Sequence, residues 1–345
     1  MENRYHFECD YTQGFDEKVL NKLVETNMVQ TVGYGLDPYC QESEALVKSL
    51  CNKEVNVFHL VGGTQANSVV IQHCLKQYEA VIACDSGHIN VHETGAIEHN
   101  GHKVVTIPGV NGKLNAADVV TFMEPIVNDS GKEHIVLPKM IYISQTSEYG
   151  TMYSKEELQA LRDVANRYGL IIFMDGARLG YALAADSRLK LADYAQLVDV
   201  FTIGLTKCGG GFGEVVVFDA AIDTHRFRNV IKQNGAMLAK GRLLGVSALA
   251  LLSDNHYQTI CANALRYADK IREALKAKGV VFYIENNTNQ IFPIVSHAQR
   301  VLLEKAVVVN YWGKYNDEKD IIRIVTSWGN TDNEVNALLS VIDKF

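Results

Sequence analysis

Proline is scarce, with 5 in 345 residues, and no low-complexity tract interrupts the chain. Disordered segments are therefore not expected. Long apolar runs are missing as well. The longest nearly apolar stretch, Leu243 to Leu252, falls well short of the roughly 18 residues that indicate a membrane span. Basic clusters are absent: 33 Lys and Arg stand against 40 Asp and Glu, for a net charge of −7. That balance argues against nucleic acid or an anionic membrane as a main partner. The opening stretch, MENRYHFECDYTQ, is polar and acidic, so no signal or transit sequence is expected there. No CxxC occurs, and the seven cysteines, at 9, 40, 51, 74, 84, 208 and 261, are odd in number and scattered. They read as reduced thiols of a cytoplasmic protein, with no disulfide framework and no zinc site. Two nucleotide signatures are missing too: no Gly-Lys precedes Ser or Thr, and no G-x-G-x-x-G follows an early strand.

What is present is an ordinary globular mix, 47% apolar, 21% charged and 9% aromatic. A length of 345 residues exceeds what one hydrophobic core usually serves, so two structural units are expected. Short apolar, β-branched runs occur at Val55–Val61, Ala80–Cys84, Lys103–Pro108, Lys139–Ser144, Leu170–Met174, Val200–Leu205 and Glu214–Phe218. Runs that are apolar on both faces suit strands buried in a mainly parallel sheet. Helical stretches lie between several of them. Thr64–Tyr78 is one, and Lys155–Tyr168 is another, with a capping box of Ser154 and Glu157 and a stop at Gly169. The alternation predicts a large α/β unit with a mainly parallel seven-stranded sheet and helices on both faces. After residue 250 the pattern changes to a long helix, Tyr257–Lys278, and short strands at Val280–Ile284, Gln290–Val295, Val307–Trp312 and Ile321–Ser327. A final helix covers Asn333–Asp343. The expected division is a large domain over 15–250 and a small α+β domain made of 1–14 and 251–345.

Ligands of open α/β sheets collect at the carboxyl ends of strands, so the residues after each strand are the candidates. Gly62-Gly63-Thr64 opens a helix, where free N–H groups and the dipole favour an anion; a plain tight turn is the alternative. His88 follows the next strand, with His92 four residues on. Two imidazoles on one helical face can ligate a metal, but a third ligand is not evident, and a lone His there can instead stack on a flat cofactor. The apolar run ending at Met174 delivers Asp175 and then Arg178. Such an Asp is often a helix cap, yet this pair can also hold a cation and an anion together. Lys207 comes straight after another apolar strand, ahead of glycines at 209, 210, 211 and 213. An exposed turn lysine is the ordinary case; a partly desolvated one forms Schiff bases. Anion cradle, flat partner, carboxylate and amine together match the needs of pyridoxal phosphate.

These residues carry a family resemblance. Asp175-Gly-Ala-Arg178, Gly33-Tyr-Gly-Leu-Asp37, Gly63-Thr-Gln-Ala-Asn67, His88 with Glu93-Thr-Gly95, Glu148-Tyr-Gly-Thr151, Thr206-Lys207, Lys232-Gln-Asn-Gly235 through Lys240-Gly-Arg242, and Arg323-Ile-Val-Thr-Ser-Trp328 resemble the threonine aldolase / β-eliminating lyase family of fold-type I pyridoxal-phosphate enzymes. The likeness is closest to its bacterial low-specificity L-threonine aldolases and covers nearly the full length. It implies that Lys207 carries the cofactor, Asp175 pairs with the pyridine nitrogen and His88 stacks on the ring. Gly63, Thr64 and Thr206 would bind phosphate. Arg178 and Arg323 would hold the substrate carboxylate, with Arg178 also near the ring oxygen. Lys232 or Lys240 would reach a phosphate across a subunit boundary, in a homodimer or homotetramer. The implied reaction is retro-aldol cleavage of L-threonine or L-allo-threonine to glycine and acetaldehyde; β-elimination from another amino acid is the alternative. Two positions depart from the family. Cys9 stands where a Ser usually helps bind the carboxylate, and a thiol is a poor hydrogen bonder. Gln145-Thr-Ser-Glu148 replaces an Asn-Thr-His segment, which leaves His88, Glu93 or water as acceptor for the β-hydroxyl proton.

Overall fold

All seven expected apolar runs become strands of one sheet in the computed structural model, which describes residues 4–345. Residues 1–3 of the expected N-terminal segment lie outside the described residues. The strands are β1 (Val55–Leu60), β2 (Glu79–Cys84), β3 (Lys103–Ile107), β4 (Leu137–Ser144), β5 (Ile171–Asp175), β6 (Val200–Gly204) and β7 (Glu214–Asp219). Their spatial order is β1-β7-β6-β5-β4-β2-β3, and β7 alone runs against the others. The reversal follows from chain length. The link over 205–213 is too short for the crossover that a parallel neighbour requires, so β7 returns beside β6 as an antiparallel partner.

Successive residues of the central strands enter different cores. Ile141, Ile143, Ile172 and Met174 pack on one side of the sheet, while Met140, Tyr142 and Phe173 pack on the other. That is the period-two alternation of a strand with helices on both faces. Helix α1 (Gly63–Cys74) contributes to the second core through Ala66, Val69 and Val70. Helix α2 (Lys155–Tyr168) contributes Leu158, Leu161 and Ala165 to the first, and shows the expected capping box and the left-handed Gly169 stop. Two helices had not been assigned from sequence, Glu17–Thr26 and Pro38–Cys51. Their legible signal was a cap. Asp37 accepts from the Cys40 amide ahead of a proline at the first helical turn.

Helix α3 (His256–Ala277) joins the two cores instead of marking a clean break. Tyr257, Cys261 and Ala264 belong to the large-sheet core, and Ala268, Ile271 and Leu275 to a separate one. The Tyr257 hydroxyl donates to the Gly204 carbonyl at 2.6 Å and accepts from the Gly180 amide at 3.1 Å, beside the site described below. That separate core sits under β8 (Gln290–Ile291), β9 (Ile294–Ser296), β10 (Asn310–Lys314) and β11 (Lys319–Val325), the first three each pairing antiparallel with β11. Tyr5–His6 pairs parallel with Val307–Val308, which brings the N-terminal segment to the same core through Phe7.

Three expected strands differ, and one of them, 307–312, is divided into Val307–Val308 and β10. Pro293 has no N–H to donate and splits 290–295 into β8 and β9. The stretch 280–284 forms only an isolated bridge, Phe282 with Pro293. Helix α1 also ends earlier than expected, because Leu75 turns extended at φ −109° and ψ 146°.

One close approach sets the position of the residues after β5. A Cβ on Gly176 would lie 1.9 Å from the Thr202 carbonyl oxygen of β6. The Gly176 amide is held there by the Thr202 hydroxyl at 2.7 Å. Gly176→Ala should therefore force β5 and β6 apart and cost about 1–3 kcal/mol or more. A fall in Tm by calorimetry checks this; an unchanged Tm would contradict it.

Candidate active site

Register places the functional groups at one edge of the sheet. Ser144 of β4 lies opposite Asp175 of β5, and Glu214 at the start of β7 lies opposite Leu60 of β1 and Gly204 of β6. Around that edge is a cavity of about 340 Å³ lined by Gly62, Gly63, Thr64, His88, Asp175, Arg178, Thr206 and Lys207. The candidates from four separate strand ends thus meet in one place.

Asp175 is buried and fully engaged. Its Oδ2 accepts from Asn67 Nδ2 at 2.9 Å and from the Tyr142 hydroxyl at 2.7 Å, and its Oδ1 accepts from the Ala177 amide at 2.8 Å. Burial alone would raise its pKa, but the neighbouring His88, Asn67 and Tyr142 outweigh that and hold it below the ordinary carboxylate value. A charged acceptor is therefore fixed at the cavity wall. His88 stands beside it, its Nδ1 2.7 Å from Glu93 Oε1. Asn67 Nδ2 also donates to that oxygen at 2.7 Å and so links Glu93 to Asp175. Ligand-type atoms of His88, Glu93 and Asp175 all lie within 4.8 Å of one another. Asn67 and the His88 ring connect these groups directly. His92 stays out of the cluster, its ring 5.6 Å from that of His88.

The opposite end suits an anion. Gly62 caps α1 without any side-chain bond, and a Cβ on Gly62 or Gly63 would meet nothing within 4 Å. The amides of the first turn are thus open to the cavity, at the positive end of a helix dipole. Thr206 Oγ1 donates to Glu214 Oε1 at 3.0 Å. The Gly213 carbonyl, at φ +115°, accepts from the amides of Leu205 and Thr206 at 3.0 and 3.2 Å and fixes the chain before Lys207. Only glycine takes that backbone conformation readily. Burial, then the Arg178 charge, lowers the Lys207 pKa against the pull of Asp10, Asp175 and Glu214. Such an amine is more often neutral and nucleophilic than one in water.

Two buried atoms at this cavity lack protein partners, Thr146 Oγ1 and Glu214 Oε2. Orphaned polar atoms, open N–H groups, a fixed carboxylate and a desolvated lysine fit pyridoxal phosphate: phosphate at Gly63 and Thr64, pyridine nitrogen at Asp175, carbonyl at Lys207.

The arginines are more constrained than the sequence indicated. Arg178 lines the cavity, yet its Nε and one terminal nitrogen hold Asp10 in a fork at 2.7 and 3.0 Å. Asp10 had no assigned role, because a partner 168 residues away in the chain leaves no local signal. Arg323 lies in an adjoining cavity of about 530 Å³ with Tyr11, His92, Glu148, Tyr311 and Trp312. Its guanidinium sits 5.1 Å from the Trp312 ring centre and donates to the Glu8 carbonyl at 3.0 Å. Cys9 is buried between these contacts and lines neither cavity; its neighbour Tyr11 lines both. Lys232 and Lys240 also stay away from the cavity within this chain, the Lys232 amine lying 5.0 Å from the Tyr34 ring centre.

The fold and this edge together define a fold-type I pyridoxal-phosphate enzyme. The chain belongs to the β-eliminating lyase family, whose model matches residues 10–298. Among solved structures it is similar to a threonine aldolase of Leishmania major, with 38% identity, 99% of each chain covered and a TM-score of 0.94. It is 26% identical to the low-specificity L-threonine aldolase of Pseudomonas aeruginosa over 88% of this chain and 85% of that one. A serine palmitoyltransferase of Sphingomonas wittichii shares the fold at 15% identity and a TM-score of 0.72, covering 99% of this chain and 86% of that one.

The buried Asp10–Arg178 pair yields a stability test. Asp10 also accepts from Asn289 at 2.9 Å. Burial opposes its charge, but Arg178 prevails and holds its pKa below 3.8. Its contribution is then complete above pH 3.8 and is lost as pH falls through the lower folded value. Asp10→Asn leaves a buried guanidinium uncompensated and should cost about 3–5 kcal/mol. Unfolding followed against pH should show the lower Tm and a shallower acid limb.

Proposed function

We propose that the protein is a pyridoxal-phosphate-dependent aldolase that cleaves L-threonine and L-allo-threonine to glycine and acetaldehyde. The observation that carries this is Asp175, buried with three donors at the same cavity as Lys207 and Arg178. The names of the similar proteins from Leishmania major and Pseudomonas aeruginosa support the same activity.

Bound pyridoxal phosphate supplies an electron sink for the pair released at the substrate's Cα. Lys207 would hold the cofactor through its carbonyl carbon. Gly63, Thr64 and Thr206 hold the phosphate. Asp175 keeps the pyridine nitrogen protonated, and His88 covers one ring face. Arg323 takes the substrate carboxylate with the free edge of Arg178, the other edge being held by Asp10. Two fixed anchors orient the scissile Cα–Cβ bond for overlap with the ring system. Cys9 acts through its neighbours, as the segment that carries Asp10 and the Glu8 carbonyl to the two arginines.

The wider setting follows the same reading. We assign 15–250 to a large cofactor domain and 1–14 with 251–345 to a small one, supported by their separate cores. A homodimer or homotetramer is supported by exposed Val24, Met28, Val32 and Leu36 on one segment. In that assembly Lys232 or Lys240 reaches the partner's phosphate. Unpaired cysteines fit a cytoplasmic setting. No helix among the described residues is long and apolar enough to cross a membrane.

The family's own description favours β-elimination as the second reading. Products separate the two: acetaldehyde with glycine, against a keto acid with ammonia. The test is aldehyde release from each threonine isomer. Asp175→Asn should keep the cofactor bound while lowering kcat about 10- to 1000-fold, the equivalent of a 1–3 unit loss in pyridine pKa. Full activity in that variant would remove the role given to Asp175.

A further inference from the structure

The remaining gap in this chemistry is the group that takes the β-hydroxyl proton. We propose that Glu148 is that base, with its Oε2 as the accepting atom. The inference rests on the aldolase reading.

Glu148 stands where the substrate's side chain must pass. It lines the cavity holding Asp175 and Lys207, and also the outer cavity holding Arg323 and Trp312. A substrate with Cα over the cofactor and its carboxylate at Arg323 spans both. The carboxyl group is held from one side only. Oε1 accepts from the His88 amide at 3.0 Å and the Ser144 hydroxyl at 2.7 Å, and Oε2 has no protein partner among the described residues. Fixing one oxygen orients the other. Burial raises the pKa of this carboxyl above the ordinary range, which strengthens it as a base near neutrality.

The other acceptors are less well placed. Glu93 is buried, bonded to Asn67 and His88, and lines neither cavity. His88 has its Nδ1 committed to Glu93 and its ring face to stacking. His92 lines the outer cavity beside Arg323 and Lys207 but not the one holding Asp175.

In the proposed step the β-hydroxyl O–H bond breaks and its proton passes to Glu148 Oε2. The O–H electron pair becomes the second bond of the aldehyde carbonyl. The Cα–Cβ bond breaks, and its pair goes to the electron sink that bound pyridoxal phosphate would supply. The aldehyde leaves, and a proton later returns to Cα to give glycine.

The test separates this step from all others. On the aldolase reading the holoenzyme should also exchange the Cα hydrogen of glycine with solvent deuterium, a reaction that involves no hydroxyl. Glu148→Gln should lower kcat for L-threonine cleavage about 10²–10⁴-fold, while glycine exchange and the visible cofactor band stay within threefold of the unaltered protein. Glu148→Asp should recover part of the cleavage rate. Undiminished cleavage by Glu148→Gln would overturn the proposal alone, as would an equal loss of exchange and cleavage. If the unaltered protein releases no aldehyde from either threonine, the aldolase reading falls and this step with it.

Discussion

A carboxylate buried at the end of β5 governs the geometry of the site. Asp175 has three donors, from α1, β4 and its own turn, and each is delivered by a different part of the large unit. Its charge persists in the interior only because those donors and His88 outweigh the desolvation cost. The same Asn67 that supports it reaches Glu93, and Glu93 in turn orients His88. The flat imidazole and the fixed anion are therefore parts of one hydrogen-bonded network. A cofactor with a protonatable ring nitrogen would complete that network.

A second buried charge ties the two cores together. Asp10 lies on the N-terminal segment that pairs with the small unit, and Arg178 follows β5 of the large one. Asn289, ahead of β8, holds the same carboxylate. The arginine side of the cavity is thus assembled across the junction. Helix α3 and the Tyr257 hydroxyl brace the same region from behind. In the proposed reading, substrate recognition and the seating of the second core depend on common residues.

Much of this was legible in the chain. The seven strands could be read because each is apolar on both faces and short, and register then forced Asp175, Lys207 and Gly63 to one edge. The glycines at 209, 210, 211 and 213 stood out beside Lys207, and Gly213 adopts φ +115°. Less legible were contacts with no local pattern. Asp10 meets Arg178 only through the tertiary fold, and Tyr142 looks like any core aromatic until its hydroxyl is seen on Asp175. Glu214 reads as the polar start of a strand, yet burial, aided by Asp175, pushes its carboxyl well above the ordinary range. Pro293 announced a break that the expected strand over 290–295 ignored. Two helices near the N-terminus escaped because their caps were overlooked, although Asp37-Pro38 carried the signal.

The central claim is that the amine of Lys207 bonds covalently to the cofactor at this edge. Incubation with pyridoxal phosphate, reduction with borohydride and peptide mass spectrometry tests it most directly. The expected result is one pyridoxyl group per chain, on the peptide containing Lys207. Label confined to other lysines, or no retained label at all, would contradict the account.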